Sequence, residues 1–548
     1  MTPTPPSTLS RRVQGRARVF LRRLAHWRAL VLRALRPVTP PLPADWFTDA
    51  EVGGYDDVFP ADDPHRIDDA TWRDLEAKAL LRRIADGAGI HARQYLFHRL
   101  RRGATFERGT RPAWLGEDGD EQRVLADTER ARLQMRRQDM EVTGLLFRDQ
   151  RVVLPARLRH LRWAKLLWLV APMLMIAGWG LVAVSLAGAY LFVWGAVEVH
   201  FHARLQLWKR QRDAVLGMLQ AVVDIGDVAR AHPHPVLADI GAAADDAQRL
   251  RVALDLDALE HQAMTSDYLN LLTLHEYTVA PVRMAALDDR LGTLRTLYAV
   301  LAECAGRLCL MEYLCRQRQV CWARESRPCD ILLAGMRNPL LDDAQALSLE
   351  LRGEGAFLSG QNGVGKSTFL RAVGLNLLTA RAFGFCYAAQ AAVPMLAVCS
   401  SMVHEDSTDI GDSLYMAEMR RAQALLRVAQ RAHGAVFLVD EIFRGTNHVE
   451  SVAAAAAVLN RLASAGLLMV SSHNVVLAPL LRARLAPWRI MRAEARRLTI
   501  EPGVLLEPNG IAMMARYGIP DAVRAEALRV HDWFAGHLVT PLTFPTLA

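Results

Sequence analysis

The sequence predicts a mainly α-helical N-terminal half, interrupted by an apolar helical hairpin, and a C-terminal α/β domain. Three observations carry this prediction. Apolar residues recur at helical spacing through much of residues 67–160 and 200–328. Residues 166–197 contain no charged side chain. From residue 356 onward, short apolar runs end in glycine, acidic residues or histidine, which is typical of buried parallel strands.

The composition is that of a globular protein with local basic patches. Of the 548 residues, 51% are apolar and 23% are charged, which excludes extended disorder. A chain of this length accommodates about three domains. The net charge of +8 comes largely from Arg near the N-terminus and around the apolar block, and such patches favour phospholipid or nucleic acid. The seven Cys include no C-x-x-C pair, so neither a zinc site nor a disulfide framework is predicted.

The N-terminal segment, residues 1–43, is predicted to be basic and amphipathic. Residues 9–36 contain nine Arg and no acid, interleaved with large apolar side chains. This pattern fits a helix on an anionic membrane, a nucleic-acid-binding segment, a poorly ordered tail or a transit peptide. Prolines at 37–43 end any helix, and the first part of a helical core is predicted over residues 44–160, with Asp68 or Asp69 as a helix cap.

The uncharged block predicts a transmembrane hairpin over residues 161–200. A single helix of 32 residues would span roughly 48 Å, well beyond a hydrocarbon core of about 30 Å. Glycines 178 and 180 supply a turn, and basic residues flank both ends, so both ends are expected on the cytoplasmic side, which requires an even number of crossings or a re-entrant loop. The alternative is a buried hairpin inside a soluble dimer. The second part of the helical core or lever is predicted over residues 201–330.

The C-terminal domain, residues 331–548, contains a P-loop. Residues 360–367, G-Q-N-G-V-G-K-S, match the pattern G-x-x-x-x-G-K-[ST] between a short strand and an amphipathic helix. In this motif, backbone N–H groups surround phosphates at a helix N-terminus. Lys366 is predicted to neutralise the β- and γ-phosphates of ATP, and Ser367 to hold Mg²⁺.

Two further strands end in polar residues suited to hydrolysis. The apolar run 435–439 ends in Asp440 and Glu441, and the run 467–472 ends in His473. Because ligands bind at the carboxyl ends of parallel strands, we expect these side chains near the P-loop. Asp440 is predicted to serve Mg²⁺, Glu441 to polarise the attacking water, and His473 to sense the γ-phosphate. The three motifs together predict an ATPase of the P-loop NTPase class.

These motifs resemble those of the MutS family of mismatch-repair ATPases. The segments that carry the resemblance are G-M-R-N-P at 335–339, G-Q-N-G-V-G-K-S-T at 360–368, G-D-S-L-Y-M-A-E-M at 411–419, D-E-I-F-R-G-T at 440–446 and G-I-A-M-M-A-R-Y-G-I-P at 510–520. A weaker match covers I-D-D-A-T-W-R-D-L at 67–75 together with Y-L-F-H-R-L at 95–100. Three positions depart from the family pattern: Gln361 replaces Pro, Phe443 a small residue, and Asn338 His.

The resemblance implies a MutS/ABC-type ATPase domain that forms a homodimer with two shared ATP sites. It implies an ATP-binding set of Gly360, Asn362, Gly363, Gly365, Lys366, Ser367 and Thr368, with Ser413 acting in trans. It also implies DNA as a partner. About 65 residues precede the helical core, too few for mismatch-recognition and connector domains, and no F-x-E wedge can be placed.

The interpretation favoured by the sequence is a membrane-anchored, MutS-like ATPase at the cytoplasmic face of the inner membrane, with membrane phospholipid as a partner. ATP binding would switch the helical arms and hydrolysis would reset them. One alternative is a soluble, cytoplasmic, DNA-binding repair factor with a buried hairpin. A scaffold that binds ATP without turnover is disfavoured by Lys366, Asp440 and Glu441, and a transporter by the absence of an L-S-G-G-Q element.

Overall fold

The computed structural model describes residues 47–103, 109–137, 140–254, 274–361, 363–402, 414–431, 434–444, 447–492, 497–505, 511 and 518–538. The predicted basic segment 1–43 lies outside these residues, as do Asn362, Ser413 and most of the segment 510–520. Within the described part, the N-terminal half is helical and the C-terminal part is an α/β domain.

The helical half consists of eleven described α-helices. Their bounds are α1 Asp49–Gly53, α2 Asp69–Asp74, α3 Ala77–Ile84, α4 Ile90–Arg102, α5 Glu121–Arg137, α6 Thr143–Phe147, α7 Leu167–Ile176, α8 Gly180–Ala231, α9 Ala238–Leu254, α10 His275–Asp288 and α11 Leu291–Cys315. Short 3₁₀ helices cover Asp56–Val58, Ala113–Leu115, Ala156–Leu166 and Pro235–Leu237. Asp68 caps α2 as the sequence predicts, because its carboxylate accepts the Thr71 N–H at 2.7 Å.

The uncharged block forms a hairpin with arms of very different length. The first arm, α7, has 10 residues, and the second belongs to α8, which runs for 52 residues without a break. The chain reverses just before α8, where Gly178 adopts φ 80°, a conformation that favours glycine. The predicted boundary at residue 200 therefore falls inside one continuous helix. Helix α8 is long and apolar enough to cross a bilayer by length and composition, and 17% of its most apolar window is buried.

The C-terminal domain contains a six-stranded sheet in the order β12-β11-β5-β10-β9-β8. Its strands are β5 Gly355–Gly360, β8 Ala397–Ser401, β9 Ala435–Asp440, β10 Leu467–Ser471, β11 Leu485–Arg492 and β12 Leu498–Pro502. All neighbouring pairs are parallel except β11 with β12. The helices of this domain are α12 Lys366–Phe383, α13 Leu414–Ala429, α14 His448–Ala465, α15 Leu477–Leu480 and α16 Asp521–Leu538.

A second, four-stranded sheet has the order β2-β7-β3-β4, and β1 pairs with β6. These strands are β1 Cys321–Trp322, β2 Arg324–Glu325, β3 Ile331–Met336, β4 Leu347–Leu351, β6 Phe385–Cys386 and β7 Gln390–Val393. Because β1 and β2 pair with strands beyond residue 384, the α/β region begins about ten residues before the predicted boundary at 331.

Helix α12, which follows the P-loop, is buried between the large sheet and the helical half. A Cβ atom on Gly374 would come within 2.5 Å of Leu75, next to α2, and 3.0 Å of Leu438 in β9. Only glycine permits this close approach of helix and neighbours. Arg371 of α12 also donates to the Asp74 carbonyl at 2.8 Å. The helical half thus packs directly against the helix that carries the P-loop.

Candidate active site

The P-loop connects β5 to α12 through two left-handed glycines. Gly363 has φ 69° and Gly365 has φ 111°, so side chains at either position would be strained. A Cβ atom on Gly360 would lie 2.7 Å from the Ile490 carbonyl oxygen of the neighbouring strand. These backbone requirements explain why glycine occupies all three positions of the predicted loop.

Lys366 begins α12 and points back into the loop. Its ammonium donates to the carbonyl oxygens of Gly360 at 2.9 Å and Gln361 at 3.3 Å, and it lies 3.4 Å from Nε2 of His473. Burial lowers the pKa of Lys366, while the charges of Glu441 and Asp440 act in the opposite direction. The net pKa is below its ordinary value. The ammonium is therefore a buried cation held at the point where the motif binds phosphate.

Ser367 and Thr368 follow in the first turn of α12, and both are half-buried. At this position the first backbone N–H groups of a helix lack intrahelical acceptors, so they are available to an anion. The structure therefore places every described residue of the predicted P-loop set at one helix N-terminus.

Asp440 ends β9 and is 6% exposed. The Ser471 hydroxyl, at the end of the adjacent strand β10, donates to its Oδ1 atom. Ser471 is a site residue that the sequence analysis did not assign. Its position at the end of the strand that precedes His473 is the signal that could have identified it. The hydrogen bond fixes the orientation of the carboxylate that is predicted to serve Mg²⁺.

Glu441 has both carboxylate oxygens engaged. His473 Nε2 lies 2.7 Å from Oε1, and Arg444 Nε contacts Oε2. Burial raises the pKa of Glu441, but the hydrogen bond from His473 and the charges of His473, Arg444 and Lys366 outweigh it. The net pKa is below the ordinary value of 4.5, so the side chain is a carboxylate at neutral pH. The structure thus brings Glu441, His473 and Lys366 together, as predicted.

The loop after Asp440 has an unusual backbone and is held by α13. Glu441 has φ 52° and Phe443 has φ 60°, both in the left-handed region that non-glycine residues seldom adopt. Phe443 is 1% exposed and its ring centroid lies 6.2 Å from that of Tyr415. The Arg444 N–H donates to the buried Glu418 carboxylate at 3.0 Å. The sequence analysis assigned no role to Glu418 or Arg444.

The arrangement fits a nucleotide with Mg²⁺. Among the described residues, no group of three or more His, Cys, Asp or Glu could hold a metal by itself. Proteins commonly hold Mg²⁺ with one or two side chains together with substrate phosphates and water. A nucleotide with Mg²⁺ needs a cation for its phosphates and an oriented carboxylate for its metal. Lys366 and Asp440 provide these two groups.

This fold and this site define a P-loop domain of the α/β class. The family model for MutS domain V matches residues 356–533, which include the P-loop, Asp440, Glu441 and His473. Over residues 356–533 the C-terminal domain therefore matches MutS domain V.

Curated relatives support the same family. The chain is 31% identical over 186 residues to the DNA mismatch repair protein MutS of Thermus aquaticus, covering 33% of this chain and 23% of the relative. It is 30% identical over 183 residues to the mitochondrial DNA mismatch repair protein MSH1 of Arabidopsis thaliana, covering 31% and 16%. The mitochondrial MutS homologue of Sarcophyton glaucum is 31% identical over 150 residues, with 26% and 15% covered. The aligned region thus spans less than a quarter of these relatives.

Proposed function

We propose that this protein binds ATP with Mg²⁺ and hydrolyses it, and that the hydrolysis cycle switches the conformation of a membrane-anchored dimer. The observation that carries the proposal is the convergence of Lys366, Asp440, Glu441 and His473 at the carboxyl ends of neighbouring strands. The similarity of the C-terminal domain to DNA mismatch repair proteins supports the same chemistry.

Each side chain has a role that follows from its position. Lys366 and the loop N–H groups bind and orient the phosphates, and Ser367 and Asp440 hold Mg²⁺, which when bound neutralises charge on the β- and γ-phosphates. Glu441, a carboxylate at neutral pH, orients the attacking water and accepts its proton. His473 orients Glu441 and faces the γ-phosphate through its position beside Lys366.

The arrangement also supports a switch. His473 and Arg444 each contact one oxygen of Glu441, and each oxygen keeps a second lone pair for water. A contact that opens or closes when ATP binds would therefore change the orientation and the basicity of this carboxylate. Such a two-state contact is the kind of element through which a ligand can shift a conformational equilibrium.

Dimerisation is proposed from the resemblance to MutS. In this arrangement Ser413 of one subunit would contact the ATP of the other, completing two shared sites. DNA is proposed as a partner on the same basis, because the relatives are named as DNA mismatch repair proteins. The basic patches of the sequence are equally consistent with phospholipid.

Membrane anchoring, which we place at the cytoplasmic face because basic residues flank both ends of the hairpin, is supported by the exposed apolar side chains of the hairpin. Ile176 is 88% exposed, Leu181 87%, Phe192 79% and Val199 88%. Soluble proteins seldom expose a continuous apolar surface of this kind. A bilayer would cover these side chains, and the same surface argues against a hairpin buried within one soluble subunit.

The test is ATP turnover by the full chain in detergent and in vesicles, for wild type, Glu441→Gln and Lys366→Ala. We expect basal turnover in wild type, its loss with ATP binding retained in Glu441→Gln, and loss of ATP binding in Lys366→Ala. Absence of turnover in well-folded wild type under every condition would instead indicate an ATP-binding scaffold.

The partner is tested in the same assay with added DNA or lipid. Homoduplex, mismatched and branched DNA are compared with vesicles of neutral or anionic phospholipid. A rate change with any DNA supports the repair-related role, and a rate change with anionic lipid alone indicates that the membrane has replaced DNA as the effector.

A further inference from the structure

The two arms of the apolar hairpin set a limit on how deeply it can enter a bilayer. From Leu166 to the end of α7 at Ile176 the first arm rises about 16 Å, as an α-helix rises 1.5 Å per residue. The hydrocarbon core of a bilayer is about 30 Å thick. Measured along this arm, the turn at Gly178 reaches only about half of that thickness.

Exposed positive charges prevent the first arm from moving deeper. Arg157, Arg159 and Arg162 lie in the 3₁₀ helix Ala156–Leu166, and all three are exposed. The Arg162 guanidinium lies 5.0 Å from the centroid of the Trp163 ring, which is 60% exposed. An Arg and Trp pair of this kind is typical of the membrane interface.

If the turn reached the opposite interface, the first arm would carry these Arg side chains into the hydrocarbon. Burying a charged group in hydrocarbon costs far more free energy than burying the indole N–H of Trp179, which lies next to the turn. Trp179 is 61% exposed and can be buried in acyl chains at the cost of one hydrogen bond. The balance therefore favours a turn near the middle of the bilayer.

The second arm fits this depth when it is inclined. The uncharged part of α8, residues 180–197, is about 27 Å long, so a depth of about 16 Å requires an inclination of roughly 50° from the bilayer normal. The next residues along α8 are polar: Glu198 accepts from the Tyr277 hydroxyl at 2.7 Å and contacts His202 at 2.7 Å. Arg204 and Arg210 follow, and both are exposed.

We propose that the hairpin is a re-entrant anchor that enters one leaflet of an anionic phospholipid bilayer and returns to the same side. The inference rests on the proposed membrane anchoring and adds its depth and its lipid preference. Acyl chains cover the exposed apolar side chains of both arms. The phospholipid phosphates contact the Arg residues that flank the arms, because charge complementarity selects the anionic headgroup.

Depth is tested with spin labels on the full chain. Trp179→Cys near the turn, Phe192→Cys on the second arm and Val153→Cys outside the hairpin are each labelled in a Cys315→Ser background, because Cys315 is the exposed cysteine among the seven. The labelled proteins are reconstituted into vesicles of neutral and anionic phospholipid. Collision of each spin label with oxygen and with a water-soluble nickel chelate is then measured. The chelate is placed either outside the vesicles or trapped inside them.

The expected result is that the label at position 179 collides mainly with oxygen and is shielded from nickel on both sides. The label at 153 should meet the outside chelate. Contact between label 179 and the trapped chelate would show that the hairpin crosses the bilayer and would overturn the one-leaflet proposal. If the protein does not float with vesicles and label 179 meets the outside chelate, the membrane anchoring itself fails.

Lipid preference is tested with Arg159→Glu and Arg162→Glu. Each should weaken binding to anionic vesicles by at least fivefold and leave binding to neutral vesicles nearly unchanged. The matched control is Arg249→Glu, whose exposed side chain lies in α9 outside the hairpin and pairs with Asp246. Equal losses in the three variants would contradict a headgroup contact by the flanking Arg residues.

Discussion

A buried carboxylate joins the helical half to the six-stranded sheet of the C-terminal domain, and its removal should lower the stability of the protein strongly. Asp74, in α2, is 4% exposed. Its Oδ2 atom accepts from the Ser400 hydroxyl at 2.6 Å and from the Met402 N–H at 3.0 Å, both at the end of β8. Asp74→Ala leaves two buried donors without this acceptor, and each costs about 1–3 kcal/mol, so we expect a loss of about 2–6 kcal/mol.

The assay is urea unfolding of the full chain in detergent, followed by circular dichroism and Trp fluorescence. Asp74→Asn keeps an oxygen that can accept both hydrogen bonds, because one oxygen accepts both of them in the native structure, and it should lose clearly less stability. The matched control is Asp49→Ala, since Asp49 is exposed and pairs with Lys78 at 2.6 Å on the surface, where a salt bridge contributes at most about 1 kcal/mol. Equal losses for Asp74→Ala and Asp49→Ala would refute the view that Asp74 holds the two parts together.

Three further predictions concern the site and the core beside it. Burial lowers the pKa of His91 to about 4 from 6.5, so between these two values the unfolded chain binds a proton that the folded chain does not. The free energy of unfolding should therefore fall by about 3 kcal/mol between pH 7.5 and pH 4. In urea unfolding measured across this pH range, His91→Phe should remove this slope. Phe443→Gly should relieve about 1 kcal/mol of backbone strain but lose about 3–5 kcal/mol of packing, so its melting temperature should fall, and a rise would show that strain dominates. Arg444→Ala should raise the pKa of Glu441 toward 4.5, because it removes a positive charge beside the carboxylate. The acidic limb of the pH profile of ATP turnover should then move to higher pH. An unchanged limb would argue against contact between Arg444 and Glu441 during turnover.

The phosphate site could be predicted in detail because its chemistry is local in sequence. A glycine loop between strand and helix, and acids directly after a buried strand, need no knowledge of distant contacts. The helix starting at Lys366 and the strand ending at Asp440 lie where the pattern predicts them. Arg444 could also have been assigned, since it lies three residues after Glu441 with the opposite charge.

Other features depend on contacts between distant parts of the chain. The boundary predicted at residue 200 lies just after charge returns at Glu198, but α8 continues through it, and the Glu198 carboxylate accepts from the Tyr277 hydroxyl of α10. Asp74 and Ser400 are separated by 326 residues, and no local pattern pairs them. The left-handed backbone at Phe443 also contradicts local preference, which disfavours bulky residues there.

Two of these residues, Ser400 and Phe443, also contact helix α13, and this bears on how a signal from the helical half could reach the candidate ATP site. Arg421 of α13 contacts the Asp68 carboxylate at 2.6 Å and the Thr71 hydroxyl at 3.0 Å, both from the helical half. One turn earlier, Glu418 accepts from the backbone of Arg444, whose side chain contacts Glu441. Because a ligand shifts an equilibrium only through different contacts in its two states, lipid or DNA bound to the helical half can change turnover only by altering contacts between the two parts, such as those at this helix, at the P-loop helix α12 and at the end of β8. Arg421→Ala, which cuts the first connection without touching a phosphate-binding residue, should therefore leave basal turnover measurable and weaken its response to the effector.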